Sequence, residues 1–398
     1  MELYLQLGYG MMSLSRALIR EWGSGTVILS PRDLDGAQLE SMSTSVNRLP
    51  SGRVMVDPQF YLPHADHAGL VSHDFWPKSY STGSFFAGPA LVKLVSDLRE
   101  LNITLGTSVA ILPGLLAQKV NSDWLATQDA ILEEARAAGF GRPLCQTIAL
   151  SAEACRVEAQ VSILLEHVER AKADAYYLIC EHPNGRYLVD DPSWVANVID
   201  IAAGLRLSGG QVIVGYCNHQ MLIAATAKAN AIASGTWLNV RSFPPEKFQN
   251  QDDTKRKAVW YYSPASLSEY KLAFLDIARS VGVLNLLAPP LGAEPAAAAL
   301  FAGGQPSAID LSEPEAFRHY LTSLKRQVDD SVKDTFDATV STHAALLDEA
   351  EAVLTAVRAQ GIRGQLRDFW DALASNRAAL AAITATRGAI LRREWNRL

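Results

Sequence analysis

Asp57 ends an apolar run and is followed by Pro58-Gln59-Phe60-Tyr61. A carboxylate so placed is partly desolvated, which raises its pKa toward the range of a general base. Gln59 and Tyr61 would add an amide and a hydroxyl-bearing ring for a substrate. The competing account is an aspartate that caps a turn before proline. Glu181-His182 and Asn218-His219-Gln220 follow two further apolar runs. On neighbouring strand ends, Glu181 and His219 would suit acid/base work, and Asn218 and Gln220 would read the edge of a polar ring. Taken singly, each histidine reads as a packed or capping residue. In Ser30-Pro31-Arg32-Asp33, Arg32 could hold a phosphate or carboxylate in a bidentate way, or form a surface pair with Asp33. His64, Asp66, His67, His73 and Asp74 crowd a long, aromatic-rich stretch that runs to about Gly88. They suggest a metal-dependent hydrolase built on His64, His67 and His73. Their spacing matches no helix-borne ligand pair and solvated loop histidines explain it as well, so no metal site and no cofactor is assigned. A loop of that length suits a lid over a site.

The elements that must position these groups repeat a single phrase. Residues 211–241 read as strand, turn, helix and strand, with 221–231 as the helix and 235–240 as the returning strand. Asn239 and Arg241 then stand at that last strand's end, and a crossover of this length joins parallel strands. Strand patterns fall at 3–7, 27–30, 54–57, 108–112, 145–149, 175–180, 212–215 and 236–240. Helical patterns fall at 12–22, 34–46, 90–101, 122–138, 154–173, 193–207 and 266–281. The alternation predicts an α/β fold, a (β/α)8 TIM-like barrel over residues 1–287, with an open doubly wound sheet as the alternative. Both architectures carry their ligands at the carboxyl ends of the strands.

Residues 288–311, with Pro289-Pro290, Gly303-Gly304 and Pro306, read as a linker. Residues 312–398 read as a helical C-terminal extension that opens on the capping box Ser312-Glu313-Pro314-Glu315. This tail would pack on the barrel or dock a protein partner or a second copy of the chain. With 398 residues, 48% of them hydrophobic, the chain can bury one large core. No run of eighteen apolar residues predicts a membrane span, and the N-terminus has no signal-like pattern. Four unpaired cysteines fit reduced thiols, so a cytoplasmic location is expected. A net charge of -6 excludes a generally basic nucleic-acid binder and leaves room for a local patch. Lys247, Lys255, Arg256, Lys257, Trp260, Tyr261 and Tyr262 form one such basic-aromatic stretch, which solvated lysines beside packed rings explain as well.

In this order the signals resemble the tRNA-guanine transglycosylase family, a (β/α)8 superfamily that exchanges guanine for a deazaguanine in tRNA, with branches that act on DNA. The likeness covers residues 1–285. Asp57-Pro58-Gln59-Phe60 stands where the family has Asp-Ser-Gly-Gly-Phe-Gln, whose Asp is catalytic. Ala149-Leu150-Ser151 falls at its Val-Gln-Gly-Gly. Glu181 keeps the glutamate of Gly-Gly-Leu-Ala-Val-Gly-Glu, and Val214-Gly215-Tyr216-Cys217-Asn218-His219 resembles Met-Gly-Val-Gly-Thr-Pro. The resemblance implies a guanine or 7-deazaguanine ligand, a nucleic-acid partner and a role in nucleic-acid modification. Asp57, Glu181 and His219 would be catalytic, and Arg32, Gln59, Tyr61, Asn218, Gln220, Asn239 and Arg241 would bind substrate. It also implies the alternative of a catalytically silent accessory subunit, as in antiphage defence. Aligned on Arg241, the family's nucleophilic Asp falls at Gly235, and no carboxylate lies between Ser234 and Arg241. Its Cys-x-Cys-x-x-Cys zinc site is absent too.

Overall fold

Short β-branched and apolar runs, each buried on both faces, pair in parallel to make the barrel. In the computed structural model, which describes residues 1–62, 64–77, 86–250 and 258–398, the strands are β1 (Glu2–Gln6), β2 (Gly25–Leu29), β3 (Gly52–Val56), β4 (Ala110–Ile111), β5 (Leu144–Leu150), β6 (Ala175–Cys180), β7 (Gln211–Val214) and β8 (Ala231–Ser234). Their order is β3-β2-β1-β8-β7-β6-β5-β4, all parallel, with Leu5 opposite Val27 and Val27 opposite Val54. Between β3 and β4 the ring closes through Ser108 N–H, which donates to the Val54 carbonyl at 2.8 Å. Helices cover the outside, as the alternating pattern requires. Inside, the Tyr177 hydroxyl on β6 donates to Gln6 Oε1 on β1 at 2.5 Å. Gly215 leaves room for that ring, since a Cβ there would lie 2.3 Å from Tyr177 Cε2.

Several elements differ from the sequence reading. The eighth strand is Ala231–Ser234, not 236–240, and the stretch before it is a 3-10 helix, His219–Ala227, rather than an α-helix over 221–231. All nine residues of that turn are buried, so packing, not the helix propensity of its alanines, sets its conformation. The helix over 154–173 breaks at Val157, whose backbone is extended, into Ala152–Arg156 and Glu158–Val168. Residues 266–281 hold two elements, the strand β10 (Ser268–Lys271) and the helix Leu272–Ser280. β10 pairs antiparallel with β9 (Trp260–Ser263), and Tyr261, Tyr270, Leu275, Leu287, Leu300 and Val357 form a second, smaller core around this hairpin.

The tail helices Glu313–Ser331, Phe336–Ala359, Trp370–Thr386 and Gly388–Glu394 pack on the β6 to β8 side. Gln220 Nε2 donates to Asn376 Oδ1 at 2.9 Å, Arg387 grips Asp200 at 2.7 and 3.0 Å, and Trp395 is buried beneath Lys228. The tail thus packs within the chain. Among the described residues no helix is long and apolar enough to cross a membrane. The capping box forms as read: Ser312 Oγ accepts from Glu315 N–H, and Ser312 N–H donates to Glu315 Oε2 at 2.8 Å. Replacing Ser312 by Ala should lower the unfolding free energy by about 1 kcal/mol. A urea midpoint equal to wild type would show that the cap does not hold this helix.

Candidate functional site

The carboxyl ends of β1, β2 and β8, the β9–β10 hairpin and the first tail helix enclose a cavity of about 620 Å3. Arg32 and Asp33 reach it from β2, Thr236 to Arg241 from β8, Lys247 from the following loop, Trp260 and Glu269 from the hairpin, and Phe317, Tyr320 and Arg367 from the tail. Two side-chain networks build its walls.

The first network centres on Asp57. This carboxylate is 1% exposed and is not among the residues that line the cavity. Its Oδ1 accepts from Tyr61 Oη at 2.7 Å and from Gln59 N–H at 3.0 Å, and its Oδ2 accepts from Tyr216 Oη at 2.6 Å. Burial pushes the carboxyl up to about 6, while the two hydroxyls and the amide pull the other way. Gln59 is fully engaged: Nε2 donates to Ser30 Oγ and Tyr216 Oη, and Oε1 accepts from Arg32 N–H. Both Gln59 (φ 61°) and Tyr216 (φ 48°) are held in the left-handed region, at about 1–3 kcal/mol each. Two of the three residues that hydrogen-bond Asp57 thus carry backbone strain, Tyr61 being the third and unstrained.

Lys247 lies on this network's outer side. Its Nζ sits 3.6 Å from the centre of the Tyr216 ring and 4.9 Å from that of Phe248, and donates to the Asn239 carbonyl at 2.5 Å. Burial, with Arg32 close by, holds its ammonium well below the ordinary lysine range. Lysines 255 and 257 and Arg256 of the basic-aromatic stretch lie outside the described residues. The others are not a solvated patch: Lys247, Tyr261 and Tyr262 are buried.

The second network is ionic. Glu269 accepts from Arg241 NH1 at 3.2 and 3.3 Å and from Arg367 NH1 at 2.6 Å. Burial disfavours its carboxylate, yet the two guanidiniums hold its carboxyl below the usual range. Arg241 is 2% exposed, lies 3.4 Å above the Tyr320 ring and donates from Nε to the Gly235 carbonyl. This cluster carries one net positive charge at the cavity wall. Beside it, Thr236 Oγ1 and Asn239 Oδ1 are buried without a hydrogen-bond partner among the described residues.

Of the residues proposed from sequence, Arg32, Asn239 and Arg241 line the cavity. Gln59 and Tyr61 serve Asp57. Asn218 donates to the carbonyls of Tyr187 and Arg241, and Gln220 bonds both backbone groups of Val189. Glu181 and His219 share no hydrogen bond. Glu181 Oε2 accepts from Ala152 N–H at the start of a helix. His219 is packed among Tyr262, Tyr320, Tyr187 and Phe369, and burial pushes its imidazole down to about 4, which keeps it neutral. The loop histidines also part: His64 is exposed, His67 accepts from Gly69 N–H, and His73 bonds the Pro31 carbonyl while stacked on Phe75. Among the described residues no three metal-ligating side chains come together. Much of the aromatic stretch is packed, with Phe60 and Trp76 stacked at 4.3 Å; residues 63 and 78–85 lie outside the described residues.

Sequence reasoning missed Glu269 and Arg367 and placed Lys247 on the surface. The strand-like alternation around Ser268-Glu269-Tyr270 was the available signal for the first, and Phe243 and Phe248 beside Lys247 were the signal for the last. The backbone also accounts for the absent nucleophile. A Cβ on Gly235 would lie 2.4 Å from the Gln6 carbonyl oxygen and 2.6 Å from Val240 Cγ2, so no side chain fits where the resemblance would put the aspartate.

No family model matches the sequence, and no curated protein matches it. The chain superposes on solved barrel proteins at low similarity. 3-Hexulose-6-phosphate synthase is 10% identical, with 62% of this chain and 98% of that one covered and a TM-score of 0.35. A GH10 xylanase from Thermobacillus composti is 10% identical over 63% of this chain and 89% of that one, with a TM-score of 0.40. The carboxyl transferase domain of Rhizobium etli pyruvate carboxylase is 11% identical over 98% of this chain and 61% of that one, with a TM-score of 0.35. None of these three is a tRNA-guanine transglycosylase, and the TIM-like barrel rests on the ring of eight parallel strands rather than on these likenesses.

Proposed function

We propose that the cavity at the barrel mouth binds a guanine-type base, guanine or a 7-deazaguanine, and that the protein acts in nucleic-acid modification without the aspartate nucleophile of the covalent route. The lining of the cavity supports this reading. Trp237 and Trp260 offer flat faces, Arg367 offers the forked donors that its bond to Glu269 leaves, and Thr236 and Asn239 hold buried oxygens without donors among the described residues. Aromatic faces stack any base, and a guanidinium fork matches the O6 and N7 acceptors of guanine. A buried acceptor left alone costs about 1–3 kcal/mol, which a ligand N–H would relieve. The volume, within the usual range of small-molecule sites, leaves space for an attached sugar and phosphate. In this reading Arg32, Asn239 and Arg241 contact the ligand, and Asp57 acts from behind the wall, through Gln59, which holds the Arg32 backbone, and Tyr216, whose ring backs Lys247.

Calorimetric titration with guanine, 7-deazaguanine and guanosine monophosphate tests the reading. Saturable binding is expected, and Trp260→Ala should weaken it about ten-fold or more, because stacking contributes ~1–3 kcal/mol per base. Absence of binding for all three compounds would reject it.

A further inference from the structure

We propose that Lys247 is an amine nucleophile, which captures the aldehyde carbon of a phosphorylated aldose in the barrel-mouth cavity as an imine. The inference goes beyond base binding and stands on the geometry of the cavity wall, whatever base the cavity takes.

Three observations carry it. Lys247 lines the cavity, yet its residue is only 7% exposed and its ammonium has one hydrogen bond among the described residues, to the Asn239 carbonyl. Aromatic rings of Tyr216, Phe243 and Phe248 surround Nζ; their faces attract an ammonium, but their bulk shuts out water, and that burial favours the uncharged amine. The charged and titratable groups that face it are Arg32, which opposes protonation, and Asp33, Asp57 and Glu246, which favour it without forming an ion pair. Burial outweighs the three carboxylates. A desolvated lysine beside another cation is the arrangement that activates an amine toward carbonyl carbon. The same cavity supplies an anion site in Arg241 and Arg367, two guanidiniums that share one carboxylate. Arg367 spends one of its donors on Glu269, and a phosphate suits those that remain.

The step balances without a further reactant. The nitrogen lone pair attacks the aldehyde carbon, the C=O π pair moves to oxygen, and oxygen takes up a proton to give a carbinolamine. Loss of that hydroxyl as water leaves the imine. Amine and aldehyde become imine and water, with no oxidation.

Erythrose 4-phosphate is the probe, because its phosphorylated O4 cannot close a furanose ring and the aldehyde stays available. The full chain is incubated with it near neutral pH, reduced with sodium borohydride, which delivers hydride to the imine carbon, and mapped by peptide mass spectrometry. The expected result is a single secondary-amine adduct on Lys247, absent in Lys247→Arg. Unphosphorylated glyceraldehyde, which closes no furanose ring either, at the same concentration should label Lys247 at least ten-fold less, and Arg367→Met should reduce labelling by the phosphorylated probe to a similar degree. Labelling spread over exposed lysines such as Lys93, Lys119 and Lys172, or no adduct on Lys247 of the wild-type chain, would overturn the assignment. Equal labelling by the two sugars would overturn the phosphate site. Base binding is read separately by calorimetry, so either result can fail without the other.

Discussion

Acidification from pH 7 to pH 4 is expected to unfold the protein, and the buried histidines are the cause. Burial pushes His182, His219 and His343 down from 6.5 to about 4. Between those values the unfolded chain binds protons that the folded chain refuses, so stability is present above pH 6.5 and is lost as pH falls toward 4. Each histidine contributes about 3 kcal/mol to that loss. Asp57 acts in the opposite sense. Its folded value, raised to about 6 from 3.8, means the folded chain binds the extra proton between these limits, which adds back about 3 kcal/mol on acidification. Three groups against one leave a net loss of roughly 6 kcal/mol, comparable to the whole stability of many domains. Urea denaturation at steps from pH 7 to pH 4 measures it. A flat midpoint across that range would contradict neutral burial of the three imidazoles, and His343→Gln should flatten the slope by about a half.

Replacing Glu269 by Gln should cost about 3–5 kcal/mol, since it leaves Arg241 buried, and Arg367 half-buried beside it, without a carboxylate. The loss should appear first where the hairpin and tail meet the barrel, because Glu269 comes from β10, Arg367 from the tail and Arg241 from the loop after β8. Arg367→Met should be milder, as it leaves Arg241 and Glu269 as a neutral pair. In the Glu269→Gln background the same substitution should restore part of the loss. A double-mutant cycle by urea denaturation checks both statements. A Glu269→Gln midpoint close to wild type would show that Arg241 is held by its Tyr320 and Gly235 contacts alone.

The barrel was legible in the sequence because its helices carry strong local signals. The patterns at 12–22 and 122–138 match the observed helices to the residue, and an Asp after Val54 to Val56 marked a strand end correctly. The eighth strand was not legible. Ala231-Ile232-Ala233-Ser234 has little strand propensity, and it is a strand because it pairs with β1 on one side and β7 on the other. Thr236 to Val240 has strand composition but turns, since Gly235 presses against Gln6 and ends the ladder. The site was legible in part. Arg32, Asn239 and Arg241 follow from their positions at strand ends, a rule of the fold. Lys247, Glu269 and Arg367 are brought to the same cavity by segments far apart in the chain, and no local pattern records that.

The closure between β3 and β4 has a consequence for how Asp57 meets water. Seven of the eight junctions in the ring are strand ladders, whereas this one rests on the Ser108 amide and a two-residue β4. It is therefore the place where the wall can breathe at least cost, and the Ser108 amide should exchange its hydrogen for deuterium ahead of the β5 and β6 amides. Asp57 terminates the strand on one side of that seam. Since it does not line the cavity, opening of the seam is the expected route by which protons reach it, and its titration should then follow the barrel's weakest joint rather than anything that enters the mouth.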